Sequence, residues 1–415
     1  MQKKKKLFHI FVDLEKAFDK VPRQAIEWAL RRQLVPEWLV RAVMGLYHHS
    51  SSKVRFAGAM SGSFPIGVGV HQGSALSPLL FKLVMEESTK HCRRGDPWEL
   101  LYADDLVLTA DTKEGVEEMF NEWRSAMELR GLKINVTKTK LLVSGKENVP
   151  AAPTGQYPCG ICGSGVGANS IVCTACNRWC HHRCTGLASL SRVTNYICLV
   201  CNGTRQNIPP VDESIVTDAG TIEEVTEFTY LGDVISCRGG AETAVRHRIA
   251  IAWHKWRELC SLLSNRGIPL KHRARVYNAC IRSAMLYGAV TWALTQREES
   301  LLQACDRRML RRLCGVTLRD RIPSDEVLRR CGLESVLLRV RKMRMAWFGH
   351  VYRRDGDDPV CRVQDVEAPG RRPRGRPKKT WNDCVRGDLS AAGVPETAAD
   401  DRARWKTIIS RLTTS

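Results

Sequence analysis

LYADDLVL (101–108) sets two adjacent carboxylates, Asp104 and Asp105, between apolar arms. The pattern predicts a β-hairpin with the acids at its tip, where a tight turn holds both near one ion without burying either unpaired. Taken alone, such a pair is an ordinary turn. The run LFHIFVDL (7–14) changes that reading, because it predicts a buried strand ending at Asp13, then a turn and a helix near 23–33. Three carboxylates carried by two strands meet the needs of two-metal phosphoryl transfer. The ions there stand about 3.5–4 Å apart, one activating the attacking oxygen and one steadying the leaving group.

Further runs flank this pair in a fixed order: FVDLEKAFD (11–19), HQGSALSP (71–78), LYADDLVL (101–108), LKINVTKTK (132–140) and FTYLGDVIS (228–236). The set resembles the palm of a reverse transcriptase of the non-LTR (LINE-type) retrotransposons. The resemblance covers 7–145 closely, resumes at 228–236 as the primer-grip hairpin, and extends more loosely over 246–389. It implies an RNA-directed DNA polymerase whose Asp13, Asp104 and Asp105 hold two Mg²⁺ (or Mn²⁺) ions. It also implies that Phe18 lies under the sugar and selects deoxynucleotides, the bland alternative being a core aromatic. Gln72 and Gly73 would floor the nucleotide pocket. Lys138 or Lys140 would stand near the leaving pyrophosphate, although alternating lysines also mark an exposed strand edge. Tyr230, Leu231 and Gly232 would position the primer's 3′ end. Asp19 falls past the strand end, which suits capping or a salt bridge better than metal binding. Ser77-Pro78 should open a helix, proline being favoured in a first turn. The implied partners are an RNA template, a DNA primer or target DNA, and dNTPs.

The chain has 415 residues, enough for two or three domains, with 43% hydrophobic residues and a net charge of +20. No apolar run nears the roughly 20 residues that span a bilayer, and the basic start MQKKKK runs straight into the first strand rather than a secretory leader. An intracellular protein without a membrane is therefore expected, nuclear with a cytoplasmic ribonucleoprotein stage. Its 17 cysteines should be thiols or metal ligands. The charge excess points to a polyanion. Most of it falls in 238–415, with roughly 37 basic against 19 acidic side chains. Only about seven residues precede the Asp13 strand, so the family's fingers region should be largely missing and its endonuclease domain absent.

Cysteines crowd between a linker-like stretch (144–158) and Pro210. The ligand series is Cys159, Cys162, Cys173, Cys176, His181, Cys184, Cys198 and Cys201, enough for two tetrahedral Zn²⁺ sites. So few aliphatic residues cannot build a core, and metal must supply the folding energy. The C4-H-C3 order resembles a PHD finger, with Trp179 two residues before the histidine. That pattern implies a cross-brace in which the first and third ligand pairs share one zinc and the second and fourth the other. Cys180 and His182 are alternative ligands, although the spacing to Cys184 favours His181. The residues before Cys173 (Asn169, Ser170, Ile171, Val172) lack acids and aromatics, so histone-tail reading is disfavoured against a structural or nucleic-acid role.

Residues 241–350 show helical apolar spacing with many arginines, interrupted at Gly267-Ile268-Pro269 and Arg321-Ile322-Pro323. This suits a thumb whose arginines contact phosphates without reading sequence. Trp253, Trp256, Tyr287 and Trp292 fit a core better than base stacking. RGRPKK (374–379) resembles an AT-hook, a thin segment for an A·T-rich minor groove, and a disordered basic linker would look the same.

The expected fold class is therefore α+β: an antiparallel palm sheet with packed helices, a small zinc-bound module, and a mostly α-helical thumb region. The expected divisions are palm 1–145, zinc module 146–210, primer-grip segment 211–240, helical region 241–350 and basic tail 351–415. The alternative function is a catalytically incompetent, zinc-dependent nucleic-acid or chromatin-binding remnant.

Overall fold

The computed structural model describes residues 6–95, 98–145, 159–162, 166, 169–176, 178–187, 193, 196–202, 213–218, 220–365 and 378–412. A six-stranded sheet organises the N-terminal half. Its strand order is Ile215–Thr217, Gly220–Val225, Lys140–Ser144, Leu7–Val12, Asp105–Ala110 and Glu99–Tyr102. Leu7–Val12 lies inside the sheet because it is apolar at every position but His9 and can be covered on both faces. His9 bonds the hydroxyls of Thr109 (3.1 Å) and Ser144 (2.9 Å), and burial pulls its pKa down to about 4, so it sits neutral there. The sheet is antiparallel with one exception. Gly220–Val225 runs parallel to Lys140–Ser144, pairing Glu223 with Lys140.

Period-two alternation divides the sheet's side chains between two unequal cores. Phe8, Ile10, Val12, Leu106, Leu108 and Leu141 face the helices Arg23–Arg32, Ser77–Thr89 and Lys113–Glu128, where Ile26, Phe81, Phe120 and Trp123 complete the main core. Thr112 caps the last of these helices, accepting from the Gly115 amide. On the opposite face Phe11, Val107 and Leu142 meet a separate hairpin, Glu227–Tyr230 with Asp233–Ser236. Phe11 stacks on Phe228 with ring centroids 4.3 Å apart.

The basic half forms its own helical core from Glu242–Glu258, Leu270–Val276, a π-helical turn Tyr277–Arg282, Gln296–Cys314, Ser324–Cys331 and the start of Val336–Tyr352. Trp256 and Trp292 lie in it as the spacing suggested, and Trp253 is half-buried beneath Arg308 and Arg312. Tyr287 departs from that expectation: it is 52% exposed and bonds the hairpin tip. Arg282 and Asp306 form an ion pair with both side chains at most 3% exposed, and the Tyr277 hydroxyl also donates to Asp306 at 2.7 Å. The end of Val336–Tyr352 packs with Trp381–Ala392 and Arg402–Arg411 around Met345, Phe348 and Trp405. Among the described residues no helix is long and apolar enough to cross a membrane. The AT-hook-like segment lies outside the described residues up to position 377. Its Lys378 and Lys379 donate to the carbonyls of Arg238 and Leu294.

Candidate active site and metal clusters

Strand register carries the acids together. Val12 pairs with Leu106, and one further step along that register sets Asp13 opposite Asp105. Both therefore share the face of Phe11 and Val107, the face covered by the 227–236 hairpin. The Glu99–Tyr102 and Asp105–Ala110 strands pair Tyr102 with Asp105, leaving Ala103 and Asp104 as a two-residue turn. Ala103 adopts φ 55°, a conformation that costs an alanine about 1–2 kcal/mol. The Asp13 backbone is clamped from the other side. Its carbonyl accepts from the Asn135 amide (2.8 Å), and its amide donates to the hydroxyl of Thr139, which is fully buried.

Electrostatics record the crowding. Asp13 is raised above the ordinary carboxylate range by burial and by Asp104, while Lys138 pulls it down. Asp105 is raised by desolvation first, then by the negative charges of Asp104 and Asp13. Three carboxylates crowded at one sheet end, with Lys138 acting on Asp13, make an environment that favours a cation. Carboxylate oxygens are hard donors, which suits Mg²⁺ or Mn²⁺. When bound, such ions would activate the attacking oxygen and neutralise the leaving group. Tyr230 borders the same end, and its hydroxyl is raised by burial and by Asp105.

The two lysines separate. Lys138 sits in the turn before the strand and acts on Asp13, whereas Lys140 opens the strand and bonds Glu223 at 2.9 Å. Phe18 is half-buried against Phe81, with centroids 4.5 Å apart. Gln72 and Gly73 are exposed on the loop preceding Ser77–Thr89, where Gly73 has φ 86°. Among the described residues Asp19 neither caps nor pairs with a cation, and it accepts from the Gln72 amide nitrogen at 2.6 Å. Gly69 makes that approach possible, since a Cβ there would fall 2.4 Å from the Asp19 carbonyl oxygen. Sequence reasoning missed Thr139 and the Asp19–Gln72 link. The first shows only once Asn135–Thr139 is seen to fold back on Asp13, and the second joins residues 53 positions apart.

In the cysteine-rich segment, the strands Ser170–Val172 and Trp179–His181 pair antiparallel. Two quartets form: Cys159, Cys162, His181 and Cys184; and Cys173, Cys176, Cys198 and Cys201. Within each, the ligand atoms all lie within 4.8 Å of one another, and among the described residues only these groups of three or more close so tightly. His181 turns Nδ1 toward Cys162 (3.5 Å) and Cys184 (3.8 Å), while the Cys180 thiol donates to the Arg178 carbonyl. Backbone amides aim at the sulfurs, as Cys198 N–H does at Cys173 (3.2 Å). Burial pushes the Cys173 thiol up, but the amides of Cys198, Cys176 and Ala175 outweigh it and bring the value to about 6. Thiolate-stabilising amides around four soft donors fit Zn²⁺.

Residues 1–234 match the family described as Reverse transcriptase (RNA-dependent DNA polymerase), and the chain belongs to that family. It is 31% identical over 154 residues to the Retrovirus-related Pol polyprotein from type-1 retrotransposable element R2 of Nasonia vitripennis, covering 34% of this chain and 15% of that protein. A second relative is the Retrovirus-related Pol polyprotein from type-2 retrotransposable element R2DM of Drosophila melanogaster. It is 31% identical over 139 residues, covering 31% of this chain and 13% of that one. The chain thus matches only a small part of the length of these relatives. Among solved structures, apo telomerase from Candida tropicalis superposes with TM-score 0.29 and 17% identity over 35% of this chain and 32% of that one, a likeness too loose to argue from.

Proposed function

We propose that this chain is the polymerase portion of a non-LTR retrotransposon reverse transcriptase, extending a DNA primer's 3′-hydroxyl with dNTPs on an RNA template. The observation that carries the reading is the register-fixed meeting of Asp13 and Asp105 beside Asp104 in a chain of this family. The three carboxylates are the proposed ligands of two Mg²⁺ or Mn²⁺ ions. Lys138 neutralises charge beside the departing pyrophosphate and is preferred to Lys140, which is engaged by Glu223. Phe18 discriminates against a ribose 2′-hydroxyl, and Gln72 with Gly73 floors the nucleotide pocket, Gln72 being oriented by Asp19. Tyr230, Leu231 and Gly232 place the primer terminus.

The proposed divisions are a palm over 1–145, a zinc module over 146–210 resembling a PHD finger, a primer-grip segment over 211–240, a helical thumb region over 241–350 and a basic tail over 351–415. The strand pairing of Lys140–Ser144 with Gly220–Val225 across the module supports a single palm interrupted by an insertion. The quartets of ligand atoms support two zinc ions in the cross-brace arrangement. The proposed use of target DNA implies a nuclear protein with a cytoplasmic ribonucleoprotein stage.

The test is incorporation of labelled dNTP on a primed poly(rA) template with Mg²⁺ or Mn²⁺, wild type against Asp104→Asn. The variant should lose about a thousandfold or more in rate, the scale for a group that acts in the transition state, while template affinity holds. Equal synthesis by both proteins would sink the assignment. Template binding without synthesis by either would favour the zinc-dependent binding remnant.

A further inference from the structure

The hairpin facing the acids ends in a turn whose two central residues, Leu231 (φ 47°) and Gly232 (φ 79°), both have left-handed backbones. Such a turn is the tight type I′ connection, and a leucine in it is strained. The tip is tied to the helical half at three consecutive residues. The Tyr287 hydroxyl donates to the Leu231 carbonyl at 3.0 Å. An Arg248 guanidinium nitrogen donates to the Gly232 carbonyl, and the same guanidinium lies 4.2 Å from the Tyr287 ring centroid. The Trp292 indole N–H donates to Asp233 at 3.0 Å, while the other carboxylate oxygen accepts from the Val234 amide. Gly288, at φ 77°, lets that carboxylate come close: a Cβ there would lie 2.8 Å from it.

These contacts are separate from those that seat the hairpin on the sheet. Its flank is already fixed by Phe228 and Tyr230 on Phe11. Tyr287 and Arg248 instead fix where two backbone carbonyls stand, immediately beside Tyr230 and the sheet end bearing Asp105. We propose that Tyr287, with Arg248 and Trp292, is a latch that holds the hairpin tip at the height where it sets the primer's 3′-terminal nucleotide against the acids. The three act through the tip and are positioning residues. The latch rests on the polymerase reading. It also extends that reading to residues outside the segment matched by the reverse-transcriptase family, which ends at 234.

Tyr287→Phe is the discriminating variant, because the side chain is half-exposed, the ring stays under Arg248, and only the hydroxyl is lost. The apparent KM for primer–template should rise ~3- to 10-fold, the range of one net hydrogen bond. The KM for dNTP should be unchanged, the single-turnover rate per active site at saturating primer should fall because the 3′ end is set less firmly against the acids, and extension of a mismatched 3′ end should rise relative to a matched one. Trp292→Phe, which removes the second donor, should move the same quantities in the same direction. A purely structural latch would instead lower Tm and active fraction and leave primer KM per active site at the wild-type value, which overturns the proposal. A 2-aminopurine placed at the primer terminus gives a readout independent of chemistry. If wild type binds but does not polymerise, a changed fluorescence in Tyr287→Phe keeps the latch while the polymerase reading fails. Identical fluorescence overturns the latch.

Discussion

Two regions of this chain hold themselves together with different materials. The sheet buries Ile10, Leu108, Phe120 and Trp123 behind strands whose backbone groups pair with one another. Among its described residues, the segment between Cys159 and Cys201 has one short strand pair and places buried sulfurs at its centre. In the first, the hydrophobic effect is the main driving force, and it acts wherever enough apolar area leaves water. In the second, the apolar area is small, and on the proposed zinc reading the favourable term would be concentrated in eight donor atoms closing on two ions. The sheet can therefore tolerate an insertion between Lys140–Ser144 and its neighbour Gly220–Val225. On that reading the inserted unit would bring its own source of stability and ask none from the sheet.

Removing zinc tests that independence most severely. Structural zinc binding contributes about 10–16 kcal/mol in small modules, so a strong zinc chelator, or Cys173→Ser, should abolish order within 159–202. Hydrogen exchange read by mass spectrometry should show that segment fully exchanged while Leu7–Val12 and Asp105–Ala110 keep their protection. Loss of protection in both regions would mean that the sheet leans on the insertion, and the contrast would fall.

The reciprocal perturbation is smaller. Ile10 is fully buried, opposite Leu108 on one side and Leu141 on the other. Ile10→Ala should destabilise the sheet by about 2–5 kcal/mol, measured by urea unfolding of the zinc-loaded protein. The Cys/His segment should retain its metal, read as stoichiometric zinc in the native fraction. Zinc release at the sheet's transition would show that the two regions unfold as one.

Much of the sheet was legible because its information is local. The continuous apolar run of LFHIFV marked a buried strand, the apolar arms around Asp104 and Asp105 marked a hairpin, and Ser77-Pro78 marked a helix start that forms there. The ligand series supplied eight donors for two sites, and the resemblance to a PHD finger implied the grouping seen in the two quartets. What escaped is non-local. The parallel pairing of Glu223 with Lys140 spans the insertion, and no period in either strand encodes it. Lys138 and Lys140 look equivalent in sequence, and only the turn Asn135–Thr139 points one at Asp13 and leaves the other to Glu223. Tyr287 read as a core aromatic because its neighbours are apolar, while its hydroxyl partner lies 56 residues away.

The two regions also differ in how they treat charge, and pH separates them at the finest scale. Aimed amides draw two thiols, Cys159 and Cys173, toward ionisation, while burial and neighbouring thiols push Cys176 and Cys184 the other way. The carboxyls of Asp13 and Asp105 are pushed away from ionisation by burial and by the charge of Asp104, with Asp13 adding to the push on Asp105. For these acids the folded pKa lies above the unfolded value near 3.9. Below that value both states are protonated and no penalty exists. As pH rises through the unfolded value and then the folded ones, the folded state carries charges it holds less readily than the unfolded chain, and stability falls. This is the reverse of an ion-paired carboxylate. In Mg²⁺-free buffer, Asp105→Asn should therefore melt about 1–4 °C above wild type at pH 7, with the gap closing toward pH 4. Solvent screening at the exposed Asp105 keeps the effect small. Adding Mg²⁺ should reverse the order, because the wild type regains a partner for its charges that the variant binds less well. A variant no more stable than wild type in Mg²⁺-free buffer would mean that the acids are already balanced without an ion. The sheet end would then lose its claim to be a cation site.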